Sequence, residues 1–201
     1  MLRSGPDAML VELASLDEVA AVRAGVLAAE LPDVVEVVPA ARTVLVAVRP
    51  GSGGLDAVRE VLSDVALSAR PVAAGRAVPL PVVYDGPDLS LVASTAGISE
   101  DEVVALHAGA SYAVAFCGFA PGFGYLTGLP PQLRQPRLPS PRSSVPAGAV
   151  GIAGEFTGAY PRSSPGGWRL IGRTSAVLFD SRRSPPALLA PGDRVRFEVV
   201  R

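Results

Sequence analysis

The sequence predicts an α+β chain in two parts, an alternating strand–helix module over residues 1–80 and a β-barrel over residues 81–201. Three observations carry this prediction. Apolar periodicity switches between two and 3.6 residues through the first 85 positions, then changes in texture at Asp85. From Gly118 to Gly172 the chain is dense in Gly and Pro and shows no helical period. A length of 201 residues, 49% of them apolar, suits two compact parts, each with a core of its own.

Each element of the first part has a local cause. Met9 to Leu13 is a short apolar run and reads as a strand. Ser15 and Glu18 stand three apart as a capping box and open a helix with Val19, Val22 and Val26 on one face. Val34 to Val38 and Thr43 to Val48 are β-branched runs joined by a short link through Pro39 and Arg42, a hairpin. Gly53-Gly54 precedes a second helix whose Leu55, Val58, Leu62 and Val65 share a face, with Arg59, Glu60 and Asp64 turned to water. Val78 to Tyr84 then supplies a last strand. The order β-α-β-β-α-β is that of a ferredoxin-like domain, which is a scaffold more than a site.

In the second part Asp88 to Thr95 reads as a short helix ended by Gly97, and Ser99 with Glu102 opens another that ends near His107 and Gly109. The pair does not suit helix-turn-helix DNA binding, because Glu100, Asp101 and Glu102 at the start of the second helix would repel phosphates. Tyr112 to Phe119 is an aromatic and apolar strand. Short β segments follow at Ala149 to Ala153 and Trp168 to Ile171, with wide loops between them, the texture of a small barrel. Ala176 to Phe179 reads as a strand, Pro191-Gly192-Asp193 as a turn and Arg194 to Val200 as the closing strand.

Composition excludes several classes. No run of about 18 uncharged apolar residues is present, and Met1 to Leu13 has the form of neither a signal nor a transit peptide, so no membrane span and a cytoplasmic location are expected. A single cysteine, Cys117, forbids an intrachain disulfide. The chain has no Lys and no Asn; its basic residues are all Arg, the mark of a GC-rich genome and not of nucleic-acid binding. Residues 1–102 carry a net charge of -8, residues 103–179 a net of +5 with Glu155 as their one acid. A positive stretch in a neutral protein suits a small anion better than a duplex. With one His and one Cys, a zinc site is not expected; without Lys there is no P-loop, and no nucleophile elbow occurs.

What remains is a set of stiff loops. Phe119-Ala120-Pro121-Gly122-Phe123-Gly124-Tyr125 places aromatic walls among residues whose backbone can approach a ligand closely. Pro141-Arg142 through Val145-Pro146-Ala147-Gly148 fixes an Arg on a rigid segment. Gly158-Ala159-Tyr160-Pro161 and Pro165-Gly166-Gly167-Trp168 through Arg173-Thr174 follow. Arg142 and Arg173 are fork donors for a carboxylate or phosphate. His107, in the last turn of its helix, fits both a structural cap and a proton-transferring role.

These segments, together with Gly151-Ile152-Ala153-Gly154 and the ending Pro191-Gly192-Asp193-Arg194-Val195, resemble the signature of the family of 5-oxoprolinase B subunits, also called KipI-like or allophanate hydrolase subunit 1. The likeness runs over the whole chain and is sharpest from residue 82. It implies a cyclophilin-like barrel as the second part and a heteromeric enzyme that uses ATP, with Mg, to phosphorylate 5-oxo-L-proline on its amide oxygen so that it opens to L-glutamate. The implied partners are the C subunit, of the allophanate hydrolase subunit 2 type, and the A subunit, of the LamB/YcsF type. Under this reading His107, Arg142 and Arg173 are the catalytic candidates. Phe119, Pro121, Gly122, Phe123, Tyr125, Pro146 and Gly148 line the substrate or nucleotide, joined by Thr157, Tyr160, Gly166, Gly167 and Trp168. Phe119 is expected in the barrel core, and Phe123 and Tyr125 in a cleft shared with the C subunit. The sequence departs from the family at Phe156, where many members carry Gln. A part in an allophanate- or urea-type amidohydrolase or carboxyltransferase, and inhibition of a histidine kinase, are the other functions known for this signature.

Overall fold

The computed structural model describes residues 1–65 and 75–201, which fall into two compact units, Met1–Ala73 and Ala74–Arg201. The first unit holds β1 (Leu2–Arg3), β2 (Ala8–Glu12), α1 (Leu16–Ala28), β3 (Val34–Pro39), β4 (Thr43–Val48) and α2 (Leu55–Asp64). Its antiparallel sheet has the order β1-β2-β4-β3. Ser15 caps α1 by accepting from the Glu18 N–H, while the Glu18 carboxylate takes the N–H of Ala14. Val19, Val22 and Val26 are buried and pack with Met9, Val44, Val46 and Val58 in one core. Apart from β1, which the sequence did not signal, these elements follow the local signals.

The strand expected to complete this sheet does not join it. β5 (Ala77–Val82) forms, but it pairs in parallel with β13 (Arg194–Val199) in the second unit, and short β1 takes the sheet edge beside β2. The β-α-β-β-α part of the ferredoxin-like order is present, and its last strand is given to the barrel. Alternating burial of Val78, Leu80 and Val82 is served equally by either sheet.

The second unit continues with α3 (Leu89–Ala96), α4 (Glu100–Gly109), β6 (Tyr112–Cys117), β7 (Gly124–Thr127), β8 (Arg142–Val145), β9 (Ala149–Ala153), β10 (Phe156–Ala159), β11 (Ser164–Gly166) and β12 (Arg169–Arg173) before β13. Seven strands form a mixed sheet in the order β12-β9-β10-β7-β6-β13-β5, with β8 and β11 as a separate ribbon. The sheet nearly closes into a barrel because the chain running out of β5 returns to β12. Val83 and Arg173 exchange backbone hydrogen bonds, and the Gly86 and Asp88 N–H groups donate to Ile171 and Leu170. At this seam a Cβ on Gly86 would collide with the backbone of Leu170 and Ile171, so only glycine fits there.

Both helices of the barrel unit start and stop as their sequences ask. Ser99 and Glu102 complete a reciprocal capping box on α4, and Gly97 ends α3 at φ +70°. Leu89, Val92 and Val103 from these helices pack into the barrel core with Leu80, Val114, Leu126, Ile152, Ile171 and Phe197. Two segments differ from expectation. Part of the Phe119–Leu126 loop is strand β7, which pairs with β6. Ala176–Phe179 is not a strand: it folds back on the Pro-rich 185–188 stretch, where Pro185 and Pro186 lack the N–H groups a ladder needs, and only Phe179 bridges to Ala187. Among the described residues no helix is long and apolar enough to cross a membrane.

Candidate functional site

The signature loops meet over one aromatic cluster. Phe116, Phe119, Phe123, Tyr125, Phe156, Tyr160 and Trp168 make a continuous set of ring contacts, from the stacked Phe116–Tyr125 pair at 4.4 Å to edge-on contacts of Phe123 with Tyr125, Tyr160 and Trp168. Phe123, Tyr160 and Trp168 are buried at 1%, 2% and 5% exposure, whereas Phe119 is 57% exposed. The burial expected for Phe119 and Phe123 is therefore reversed. Phe123 fills the core between β7, β10 and β12, and Phe119 stands in the open at the tip of the β6–β7 turn. Tyr125 is half-buried, stacked on Phe116. Phe156 lies edge-on to both.

The glycines and prolines around the cluster have mainly spatial roles. A Cβ on Gly166 would stand 2.6 Å from the Tyr160 hydroxyl, so that glycine makes room for the buried tyrosine. Gly167 borders Pro141, and its carbonyl accepts from the N–H of Leu138. Gly148 donates to the Tyr160 carbonyl and accepts from Thr174, tying the Pro146–Gly148 turn to the barrel; Pro146 itself is exposed. Pro121 is exposed and Gly122 is buried against the Leu178–Phe179 backbone.

The arginines are placed differently from what chain charge implies. Arg142 Nη2 pairs with Asp88 Oδ1 at 2.7 Å, and its Nη1 donates to the Trp168 carbonyl. Asp88 is buried and its second oxygen accepts from the Leu170 N–H at 2.7 Å. Arg142 thus locks the barrel seam to β8. Arg173 Nε pairs with Asp85 at 2.8 Å, but the Arg173 side chain is 65% exposed. Counting charge over residues 103–179 leaves out both of these acids, which barrel closure carries to the arginines from upstream. Both arginines are thus paired with carboxylates, Arg142 partly buried and Arg173 well exposed.

His107 is fully buried. Its Nδ1 lies 2.7 Å from the Tyr84 hydroxyl and its Nε2 2.9 Å from Thr157 Oγ1, and the ring stacks on Phe197. Thr157 donates its own hydroxyl proton to the Gly151 carbonyl, so His107 Nε2–H donates to Thr157 and Nδ1 accepts from Tyr84. Desolvation depresses the His107 pKa to about 3, and burial raises that of Tyr84. Both ring nitrogens are used and no face is open, which makes His107 and Thr157 a polar strut across the barrel rather than groups that reach a substrate. Sequence reasoning passed over Arg169, which is buried and bonded to Gln135 Oε1 at 2.6 Å and to Thr95. No spacing signal pairs residues so far apart in the chain.

Residues 1–189 match the family model of the carboxyltransferase domain, subdomain C and D. The chain belongs to this family, in the group of the 5-oxoprolinase B subunits. It is 48% identical over 172 residues to the 5-oxoprolinase B subunit of Escherichia coli O157:H7, covering 84% of this chain and 79% of that protein. It is 50% identical over 125 residues to the protein of the same name from Bacillus subtilis, covering 61% of this chain and 52% of the other. Among solved structures, TTHA0988 is matched at 37% identity and a TM-score of 0.82 over 96% of this chain, which spans only 40% of that longer protein. The conserved uncharacterized protein PH0987 from Pyrococcus horikoshii is matched at 36% identity and a TM-score of 0.61, covering 98% of this chain and 95% of the other. Kluyveromyces lactis urea carboxylase shares the fold, with a TM-score of 0.78 at 21% identity.

Proposed function

We propose that the chain is the B subunit of a heteromeric ATP-dependent 5-oxoprolinase, and that it acts with partners of the C type and the A type. The observation that carries this reading is the 48% identity to a protein named as a 5-oxoprolinase B subunit, across 79% of that protein's length. Phosphorylation suits the substrate. A five-membered lactam is a poor electrophile, and transfer of the γ-phosphoryl group of ATP to its oxygen, with loss of ADP, creates a phosphate leaving group. Water then adds at the former carbonyl carbon, opening of the C–N bond leaves γ-glutamyl phosphate with a free amine, and a second water releases the phosphate to give L-glutamate.

On this chain, exposed Arg173 is the residue best fitted to an anionic group, whether the substrate carboxylate or a nucleotide phosphate. Mg would arrive on the nucleotide, with few protein ligands of its own. The aromatic cluster supplies a stiff apolar floor under the signature loops, and the Arg142–Asp88 pair keeps that floor in register with β12. Location in the cytoplasm follows from the same metabolic role.

The test is product formation. The chain mixed with C-type and A-type subunits should convert 5-oxo-L-proline to L-glutamate with one ADP per glutamate. Turnover of urea or allophanate instead, with 5-oxoproline inert, would reassign the substrate.

A further inference from the structure

Among the seven clustered rings, Phe119 alone is exposed, and its backbone is held at a cost. It sits at φ +67°, a region that bulky L residues rarely enter. The Ala120 N–H donates to the Gly118 carbonyl at 2.7 Å, closing a three-residue turn centred on Phe119. Gly118 N–H to Phe123 and Phe123 N–H to Ala120 fix that turn from below. The core beneath does not need the ring, since Phe123, Tyr160 and Trp168 already close it. The strain serves presentation of an aromatic ring to the outside.

Its surroundings include further exposed apolar residues, bordered by Arg183, which donates to the Val177 carbonyl, and by the Asp180–Arg182 pair. Pro121 is exposed beside it. A Cβ on Gly122 would lie 2.8 Å from Leu178 O and Phe179 Cβ, so the 177–179 segment runs against the same turn. There Val177 is 60% and Phe179 39% exposed. Through Gly122, exposed Phe119, Pro121, Val177 and Phe179 are brought to one turn, a grouping of the kind that marks interfaces.

We propose that this patch, with Phe119 as its anchor, docks a separate polypeptide, the companion chain equivalent to the part of TTHA0988 that lies outside the match. The ring is a knob above a filled core. A knob of this kind needs a pocket around it, which a macromolecule offers and a metabolite of lactam size does not. The relatives point to the occupant: the same fold makes up 40% of TTHA0988 but 95% of PH0987, so what is covalently joined in one is outside the chain in the other. The inference rests on the proposed role as one part of a heteromer and adds the surface through which that heteromer forms.

The experiment measures binding of the wild-type chain, Phe119→Ala and Phe119→Gly to the purified companion, a polypeptide of the same organism homologous to the uncovered part of TTHA0988, alongside a thermal melt of each. Affinity should fall about 30-fold or more in both variants, as for an aromatic hot spot. Phe119→Gly should melt at or above the wild-type temperature, because glycine relieves the positive φ. Binding within threefold of wild type by both variants overturns the anchor while leaving the heteromeric role intact. A melting temperature lowered by more than about 5 °C in both, the sign of a core ring, also overturns it. A wild-type dimer abolished by Phe119→Ala would put a second copy on the patch in place of the companion. Absence of any binding by the wild-type chain would sink both this inference and the heteromeric reading.

Discussion

Phe123→Ala is the sharpest structural perturbation of the site. Phe123 is 1% exposed and meets Phe119, Tyr125, Tyr160 and Trp168 edge-on at centroid distances of 5.0 to 5.3 Å. Truncating a buried phenylalanine costs about 3–5 kcal/mol, and the four ring contacts place this one in the upper half, about 4 kcal/mol. At about 2–4 °C per kcal/mol for a chain of this size, the melting temperature should fall by about 8–16 °C. Near-ultraviolet circular dichroism is the suitable probe, because the packed rings dominate that signal. The folded fraction that survives should bind its companion normally. A drop below about 3 °C, or lost binding with unchanged stability, would refute the placement of Phe123 in the core and return it to an interface.

Three further outcomes follow from the geometry. Asp88→Asn should cost about 2 kcal/mol, a figure discounted for the partial exposure of Arg142, and should couple to Arg142→Gln in a double-mutant cycle by at least about 1 kcal/mol; additive losses would mean the pair is incidental. His107 is held neutral in the fold with its pKa lowered to about 3, so the unfolded chain binds the extra proton between there and about 6.5. Its contribution is therefore complete above about pH 6.5 and declines as the pH falls, at up to about 1.4 kcal/mol per pH unit. Since the chain has one histidine, urea melts at pH 7.5 and 5.5 should show this loss in the wild type and not in His107→Gln. Gly86→Ala should destabilise by about 3 kcal/mol, because the new methyl group meets the Leu170–Ile171 backbone at the barrel seam; a neutral effect would mean that the seam can open without cost.

Signals confined to a few residues were legible in the sequence. The Ser15 and Ser99 caps, the Val19-Val22-Val26 face, the β3–β4 hairpin and the Gly97 stop all stand where spacing places them. What could not be read locally was partner choice. β5 has the pattern of a strand buried on one face, and nothing in it says that its partner is β13, more than a hundred residues on. The same limit affects the site. Arg142 and Arg173 look unbalanced along the chain because Asp88 and Asp85 reach them only once the seam closes. His107 in a helix end carries no mark of the Tyr84 and Thr157 hydroxyls that meet it inside the barrel. Phe119 and Phe123 lie four apart in a Gly/Pro turn, where neither strand nor helix period applies, and the positive φ at Phe119 decides which ring goes in.

The central claim is that this chain is a necessary but insufficient part of a 5-oxoprolinase. It is tested most directly by an omit-one comparison of 5-oxoproline-dependent ADP release. The chain alone should give none, the mixture with C-type and A-type subunits should give steady turnover, and leaving out this chain should return the mixture to background. Turnover by the isolated chain, or undiminished 5-oxoproline-dependent turnover by the mixture without it, would contradict the account.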